Sequence, residues 1–244
     1  MSLPAESKAV DLEDLARRIE SGRDAGERLR VLNAAFPGRL AASTSFGAQS
    51  PVMLHLLSRH APSIPVVFID TGYLFPETYQ FAERLIRILN LDVRVFQPRM
   101  TAARQEALYG RLWEQGAGGL EKYGLLNKVE PMNRALRELG ADAWISGVRR
   151  SQSRSREQRD FVERQKRTAK LYPILDWTDD DVERYFLEHD LPRHPLTFRG
   201  YVSIGDWHSS KPLEEGSAAE QTRFDGMQRE CGLHLPSADQ DYQI

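Results

Sequence analysis

Cysteine is nearly absent. The 244 residues hold one, Cys231, close to the C-terminus. One thiol cannot close an internal disulfide, complete a four-cysteine zinc site or hold an iron–sulfur cluster unaided. No apolar run approaches membrane-spanning length, and the first ten residues lack the apolar core of a secretory signal. A cytoplasmic location is expected, in agreement with a single free thiol. Excess charge of one sign is missing too: 33 basic against 35 acidic residues give a net charge of −2, so no global field draws the chain to nucleic acid. Any anion site must be local. The six histidines show no paired spacing with other metal ligands, so no metal is expected. Internal repeats and low-complexity tracts are also lacking.

What is present describes an α/β protein. With 41% hydrophobic and 28% charged residues the chain can build one sizeable core. Residues 11–36 have helical periodicity broken at Ser21-Gly22. Strand-like runs follow at 39–44, 65–70, 93–96, 143–147 and 169–174, with helical segments between them, including one from Pro76 to Leu89. Strands alternating with helices predict a mostly parallel sheet between helices. The expected division is an α/β nucleotide-binding domain with N-terminal helices over residues 1–210, and a C-terminal tail, 211–244, carrying Cys231.

Three places off the strand ends carry chemistry, where ligands of such sheets lie. The turn Ser43-Thr44-Ser45-Phe46-Gly47-Ala48-Gln49 runs into a helix opened by Pro51, which puts Ser43, Ser45, Gly47 and Gln49 where phosphate binds well. It reads equally as the corner any α/β protein needs. Ile69-Asp70-Thr71-Gly72-Tyr73 leaves the second strand, and Asp70 suits either a ligand or a turn hydrogen bond. After Gly147, residues 149–170 hold nine basic side chains against three acidic ones. Arg149, Arg150 and Arg156 are the candidates for an anionic ligand, while residues 159–167 read as a solvated basic helix face. Cys231 has Arg229 and His234 nearby to favour its thiolate, although a lone cysteine is also often a bystander.

These residues carry a resemblance. The turn from Ser43 to Gln49, Ile69-Asp70-Thr71-Gly72-Tyr73-Leu74-Phe75-Pro76-Glu77-Thr78, Lys128-Val129-Glu130-Pro131, Gly147-Val148-Arg149-Arg150 and Glu230-Cys231-Gly232-Leu233-His234 resemble, in order, the phosphoadenylyl-sulfate (PAPS) reductases of bacterial sulfate assimilation. The resemblance implies an adenine-nucleotide hydrolase or ATP-pyrophosphatase-like fold with a mobile C-terminal tail. It also implies a homodimer, thioredoxin or glutaredoxin as reductant, and release of sulfite and adenosine 3′,5′-bisphosphate. Cys231 would attack sulfur, and Lys128, Arg223 and His234 would stabilise the leaving phosphate. The nucleotide would lie against Ser43, Ser45, Gly47, Gln49, the segment from Ile69 to Tyr73, Gly147, Arg149, Arg150 and Arg156.

Two other readings compete. ATP-pyrophosphatase ligases have a similar loop, but carry a glycine and an aspartate where Phe46 and Gln49 stand here. A non-catalytic nucleotide-binding protein with Cys231 as redox sensor is the second. Related reductases of adenylyl sulfate hold an iron–sulfur cluster on cysteines that align with Tyr123, Gly124, Asp206 and Ser209. None of these four supplies a thiolate, so an iron-free protein preferring PAPS is expected.

Overall fold

The computed structural model of the chain describes residues 10–213 and residue 222. Strand alternation determines the layers. In β1 (Leu40–Thr44), β2 (Val66–Ile69) and β4 (Ala143–Ile145), residues Leu40, Ala42, Val66, Phe68, Ala143 and Ile145 pack into one core, while Ala41, Val67 and Trp144 face another. Strands apolar on both faces need cover on both. On the first face lie α1 (Leu12–Glu20), α2 (Ala25–Ala35), α3 (Ser50–His60), α4 (Pro76–Leu89) and α8 (Asp179–Glu188), through Leu15, Leu29, Leu57, Leu85 and Phe186. Each such side chain, buried completely, contributes about 1.5–3 kcal/mol. The second face is covered by α7 (Glu130–Glu138) with Met132, Ala135 and Leu136.

With β3 (Val93–Phe96), β5 (Val162–Arg164) and β6 (Ala169–Leu171), the sheet runs β3-β2-β1-β4-β6-β5, parallel except for β5. The remaining helices, α5 (Ala102–Tyr109) and α6 (Gly116–Gly124), follow β3 and lead into α7. Local chemistry sets the helix starts. Asp11 and Asp24 cap α1 and α2, Thr178 and Asp181 form a reciprocal capping box on α8, and Pro51 and Pro76 sit in the first turns of α3 and α4.

The expected α/β fold with a mostly parallel sheet is the one observed. Residues 159–167 differ from expectation: they form the antiparallel edge strand β5 and its turn rather than a solvated helix face. Charge hides an edge strand, because such strands carry charges that blunt the exposed edge. Here Arg159 donates to both Glu163 carboxylate oxygens and to the Tyr172 hydroxyl. Among the described residues no helix is long and apolar enough to cross a membrane. Residues 214–221 and 223–244, nearly all of the expected tail, lie outside the described residues.

Candidate active site

β1 has β2 on one side and β4 on the other, so the connections leaving its neighbours diverge at this point of the sheet. A crevice opens at such a switch point, beyond the carboxyl ends of the strands. Here it is a cavity of about 1160 Å³. Its lining includes Ser43 at the end of β1 with Ser45, Gly47 and Gln49 beyond it, Ile69 at the end of β2 with Thr71 beyond it, and Gly147, Arg149, Arg150 and Arg156 after β4. A strap, residues 202–206, closes one side, and Lys128 lines the wall near it.

The turn after β1 is strained. Phe46 takes φ 49°, a left-handed conformation that is an outlier for a bulky residue. Its ring is fully buried and meets Phe68 edge-on at 4.9 Å between centroids, so the core holds the backbone in place. Strain of this kind persists where the surroundings over-determine it, commonly at ligand clamps. Gly47 lies close against the strap: a Cβ there would stand 3.0 Å from the carbonyl oxygen of Ile204, a tight contact that the strap would have to relieve by shifting. Gln49 and Ser50, at the N-terminus of α3, also line the cavity, where the helix dipole favours an anion.

The basic wall is tied together internally. Arg149 is 1% exposed; its Nη1 donates to Ser151 Oγ (2.8 Å) and the Trp177 carbonyl (3.1 Å), and its Nη2 to Gln49 Oε1 (2.7 Å) and Asp179 Oδ1 (2.7 Å). Gln49 Oε1 also accepts from Gln152 Nε2 at 3.2 Å. One amide oxygen therefore joins the loops that flank the switch point. Arg150 donates twice to the Arg159 carbonyl (3.0 and 2.8 Å) with its guanidinium over the Phe161 ring, and Arg156 bonds Gln152.

Lys128 is presented by a rarer element. Between α6 and α7 the chain makes a π-helical turn, Leu125–Val129, a feature concentrated at functional sites. Asn127 locks it through reciprocal amide bonds with Gln105 (2.8 and 3.0 Å) and a bond to the Tyr123 carbonyl (3.1 Å). Lys128 Nζ then meets Asp206 Oδ2 at 2.6 Å, with both residues buried. Thr71 Oγ1 donates to Asp206 Oδ1 at 2.5 Å. Burial alone would raise the Asp206 carboxyl, but the Lys128 ammonium and the Thr71 hydrogen bond outweigh it and hold the group well below the ordinary carboxylate range. Behind this pair stands an aromatic box in which Tyr73 meets Trp113, Tyr123 and His208 at 5.0–5.8 Å, and Trp113 stacks on His208 at 4.0 Å.

Residues 39–212 match the phosphoadenosine phosphosulfate reductase domain. The chain belongs to that family. The phosphoadenosine 5′-phosphosulfate reductase of Alkalilimnicola ehrlichii is 55% identical over 221 residues, 91% of this chain and 90% of the relative. That of Xylella fastidiosa (strain 9a5c) is 51% identical over 232 residues, covering 95% and 98%. Among solved structures, a phosphate complex of Candida auris PAPS reductase superposes with TM-score 0.71 at 30% identity, over 86% of this chain and 99% of that one. Candida glabrata FMN adenylyltransferase, with TM-score 0.56 at 16% identity over 94% and 77%, shares the fold alone. As a PAPS reductase family member the chain is an enzyme, an oxidoreductase.

The structure brings Ser43, Ser45, Gly47, Gln49, Ile69, Thr71, Lys128, Gly147, Arg149, Arg150 and Arg156 of this family member to one cavity. Asp70, Gly72 and Tyr73 do not line it: Gly72 is exposed and Tyr73 is buried in the aromatic box. Asp70 accepts from the Tyr79 hydroxyl (2.6 Å), Gln97 Nε2 (2.8 Å) and Gly72 N (2.9 Å), so its carboxylate organises the turn after β2. Burial, with Glu106 nearby, pushes the Tyr73 hydroxyl up to about 12. Cys231, His234 and Arg223 lie outside the described residues. Of the four positions aligned with cluster cysteines, Tyr123, Asp206 and Ser209 gather around Lys128: its Nζ lies 5.7 Å from the Tyr123 ring centroid and 2.6 Å from Asp206 Oδ2, and Ser209 Oγ donates to the Asp206 carbonyl at 3.1 Å. Among the described residues no group of three or more His, Cys, Asp or Glu side chains is placed to hold a metal ion. Sequence reasoning did not name Asp206, Gln152 or Asp179 as site residues. The signal for Asp206 was its alignment with a cluster cysteine of the related reductases, which marked the position but not its role.

Proposed function

We propose that the chain reduces 3′-phosphoadenylyl sulfate to sulfite and adenosine 3′,5′-bisphosphate in assimilatory sulfate reduction. The observation that carries this reading is the switch-point cavity, where the strained Ser43-to-Gln49 turn and buried Lys128 face one space beside the basic wall in a member of this family. The Cys231 thiolate attacks the sulfur of the phosphosulfate. The sulfur–oxygen bond breaks, the electron pair leaves on the nucleotide phosphate, and an S-sulfocysteine remains. Lys128, Arg223 and His234 stabilise the charge on the departing phosphate. With no second cysteine in the chain, an external dithiol completes the cycle. A thiolate of reduced thioredoxin or glutaredoxin attacks Sγ of Cys231, sulfite leaves, and the second dithiol sulfur resolves the mixed disulfide, so the dithiol ends oxidised and Cys231 is a thiol again.

In the same reading the protein is a cytoplasmic homodimer without an iron–sulfur cluster. The Ser43, Ser45, Gly47 and Gln49 turn holds phosphate oxygens, Ile69 to Tyr73 shape the adenosine side, and Gly147, Arg150 and Arg156, braced by the buried Arg149 whose terminal nitrogens are committed to the wall, meet a further anionic group. Sulfite release is the test, with PAPS and adenylyl sulfate assayed in parallel against wild type and Cys231→Ser. Wild type is expected to prefer PAPS by at least about tenfold in specificity constant, the factor about 1.4 kcal/mol provides, and the variant to bind nucleotide without turnover. Substrate alone should leave one sulfonate on Cys231 by intact mass, released by reduced thioredoxin. Sulfite from the variant, equal use of both nucleotides, or stoichiometric iron in anaerobically purified protein would contradict it.

A further inference from the structure

Asp206 has no part in the scheme above, yet it is the most completely enclosed carboxylate on the cavity wall. It is 1% exposed and lies 2.6 Å from Lys128 Nζ. Three connections fix its backbone: an antiparallel bridge between Leu74 and Asp206, a Trp207 N–H bond to the Tyr73 carbonyl at 2.8 Å, and a Gly205 N–H bond to Ser210 Oγ at 3.0 Å. Thr71 Oγ1 fixes its other carboxylate oxygen. Lys128 itself arrives on the locked π-helical turn, with Nζ 5.7 Å from the Tyr123 ring centroid. A lysine stem has four rotatable bonds, and an ammonium points wherever its best acceptor lies. Here that acceptor is rigid.

A carboxylate beside the lysine weakens the attraction of Lys128 for an anion in the resting complex, so Asp206 is a poor device for binding substrate. Its use lies elsewhere. We propose that Asp206 is a positioning residue: it holds the Lys128 ammonium in one direction, so that the cation meets charge as it develops on the departing phosphate oxygen rather than settling on the ground-state anion. An interaction realised only in the transition state raises turnover without tightening substrate binding. Among the described residues, the other charged or titratable groups near the pair include Tyr123, Tyr73 and His208 behind Asp206, and Arg149, Arg150, Arg156, Glu157 and Asp179 elsewhere on the cavity. None of these is within ion-pairing distance of Lys128 Nζ among the described residues, so the direction of the ammonium is set by Asp206.

This assignment rests on the proposed reaction, and the experiment separates the two. Asp206→Asn, Lys128→Met and the double variant are measured for sulfite turnover and, by calorimetry, for affinity toward adenosine 3′,5′-bisphosphate. Asp206→Asn is expected to lose about 100-fold in kcat, the scale on which a preorganised donor acts, with nucleotide affinity unchanged or tighter. In the Lys128→Met background it should cost no more than about threefold, because a residue acting only through its partner gives non-additive losses. Asp206→Glu should recover part of the loss. A kcat within threefold of wild type, kcat and affinity falling together, or multiplicative losses in the double variant would each overturn the assignment while leaving the reaction standing. Wild type that releases no sulfite overturns both. If Asp206→Asn does not fold, Thr71→Val decides: it keeps the charge and removes two hydrogen bonds, the one Thr71 Oγ1 donates to Asp206 and the one it accepts from the Tyr73 N–H, and is expected to lower kcat at least about fivefold, on the scale of a modest hydrogen bond, and by a larger factor than any loss of nucleotide affinity, since Thr71 also lines the cavity; an unaltered kcat, or kcat and affinity falling by the same factor, counts against the proposal.

Discussion

Lys128 and Arg149 are buried cations on the same cavity, one on the β2 side of β1 and one on the β4 side, and each is paired with a carboxylate. Arg149 spends its terminal nitrogens on four protein acceptors in three different segments, and its acidic partner Asp179 is 73% exposed. Lys128 meets one carboxylate, itself 1% exposed. Guanidinium geometry suits the first arrangement, a planar fork that ties loops together, and a compact ammonium suits the second. One cation builds the wall, and the other is aimed across it. Positive charge in a cavity does not by itself identify the group that acts on the ligand; the number of donors already committed to protein separates the two roles.

The largest effect expected from breaking this comparison is at Lys128. Lys128→Met should lower sulfite turnover by about 10²–10³, the cost of removing one preorganised charge-stabilising donor. It also leaves Asp206 buried without its cation, which costs about 3–5 kcal/mol of stability. Adding Asp206→Asn should restore much of that stability and none of the turnover. Urea melts and sulfite assays on the single and double variants check both halves. A double variant no more stable than the single one would mean that the pair is not buried as described.

Arg149→Met should show the opposite emphasis. Four hydrogen bonds and the stem packing are lost, but no buried carboxylate is stranded, since Asp179 faces solvent. The expected cost is about 2–4 kcal/mol, which at about 2–4 °C per kcal/mol lowers Tm by roughly 5–15 °C. Turnover measured well below the new Tm should fall less than in Lys128→Met. A drop in turnover as deep as that of Lys128→Met, with Tm unmoved, would erase the distinction between wall and acting group.

Much of this is legible in the sequence. Pro76 to Leu89 is predicted as a helix and is α4, because Pro at the start and Asn90 in the left-handed conformation (φ 50°) at the end punctuate it in the sequence. The apolar runs that became β1, β2 and β4 are equally plain, since strands covered on both faces read as continuous hydrophobic stretches. β5 was not legible: Val162-Glu163-Arg164 is a strand through its pairing with β6, not through its own pattern. At the site, the sequence motifs name the loops but not the direction of each side chain. Asp70 and Thr71 are neighbours, yet Thr71 lines the cavity while Asp70 is spent on Tyr79 and Gln97. Asp206 and Lys128 stand 78 positions apart, and no local signal couples them.

The last expected effect is confined to acid pH and concerns another buried base, His194, which sharpens the comparison because, unlike Lys128 and Arg149, it is not held against a carboxylate. His194 is fully buried, with Nε2 3.1 Å from Thr78 Oγ1, Nδ1 accepting the Leu196 N–H at 3.1 Å, and its ring edge-on to Phe81 at 4.9 Å. Among the described residues no carboxylate pairs with it. Burial pushes the imidazole down from 6.5 to about 4, with Glu77 only partly opposing the shift, so the folded state keeps it neutral. A proton on Nδ1 would also break the Leu196 bond. The folded value lies below the unfolded one, so this contribution is fully present above pH 6.5, declines as pH falls, and is gone below about 4. At most about 3–4 kcal/mol, or about 1.36 kcal/mol per pH unit between the two values, should be lost across that window. In His194→Asn the amide oxygen can still accept the Leu196 N–H as a helix cap and nothing titrates. Its curve of Tm against pH should therefore be flatter than that of wild type between pH 6.5 and 4, and the two should run parallel above pH 7. Parallel curves through the whole range would show that His194 takes up its proton in the folded state without penalty, and that burial without a partner does not keep this base neutral.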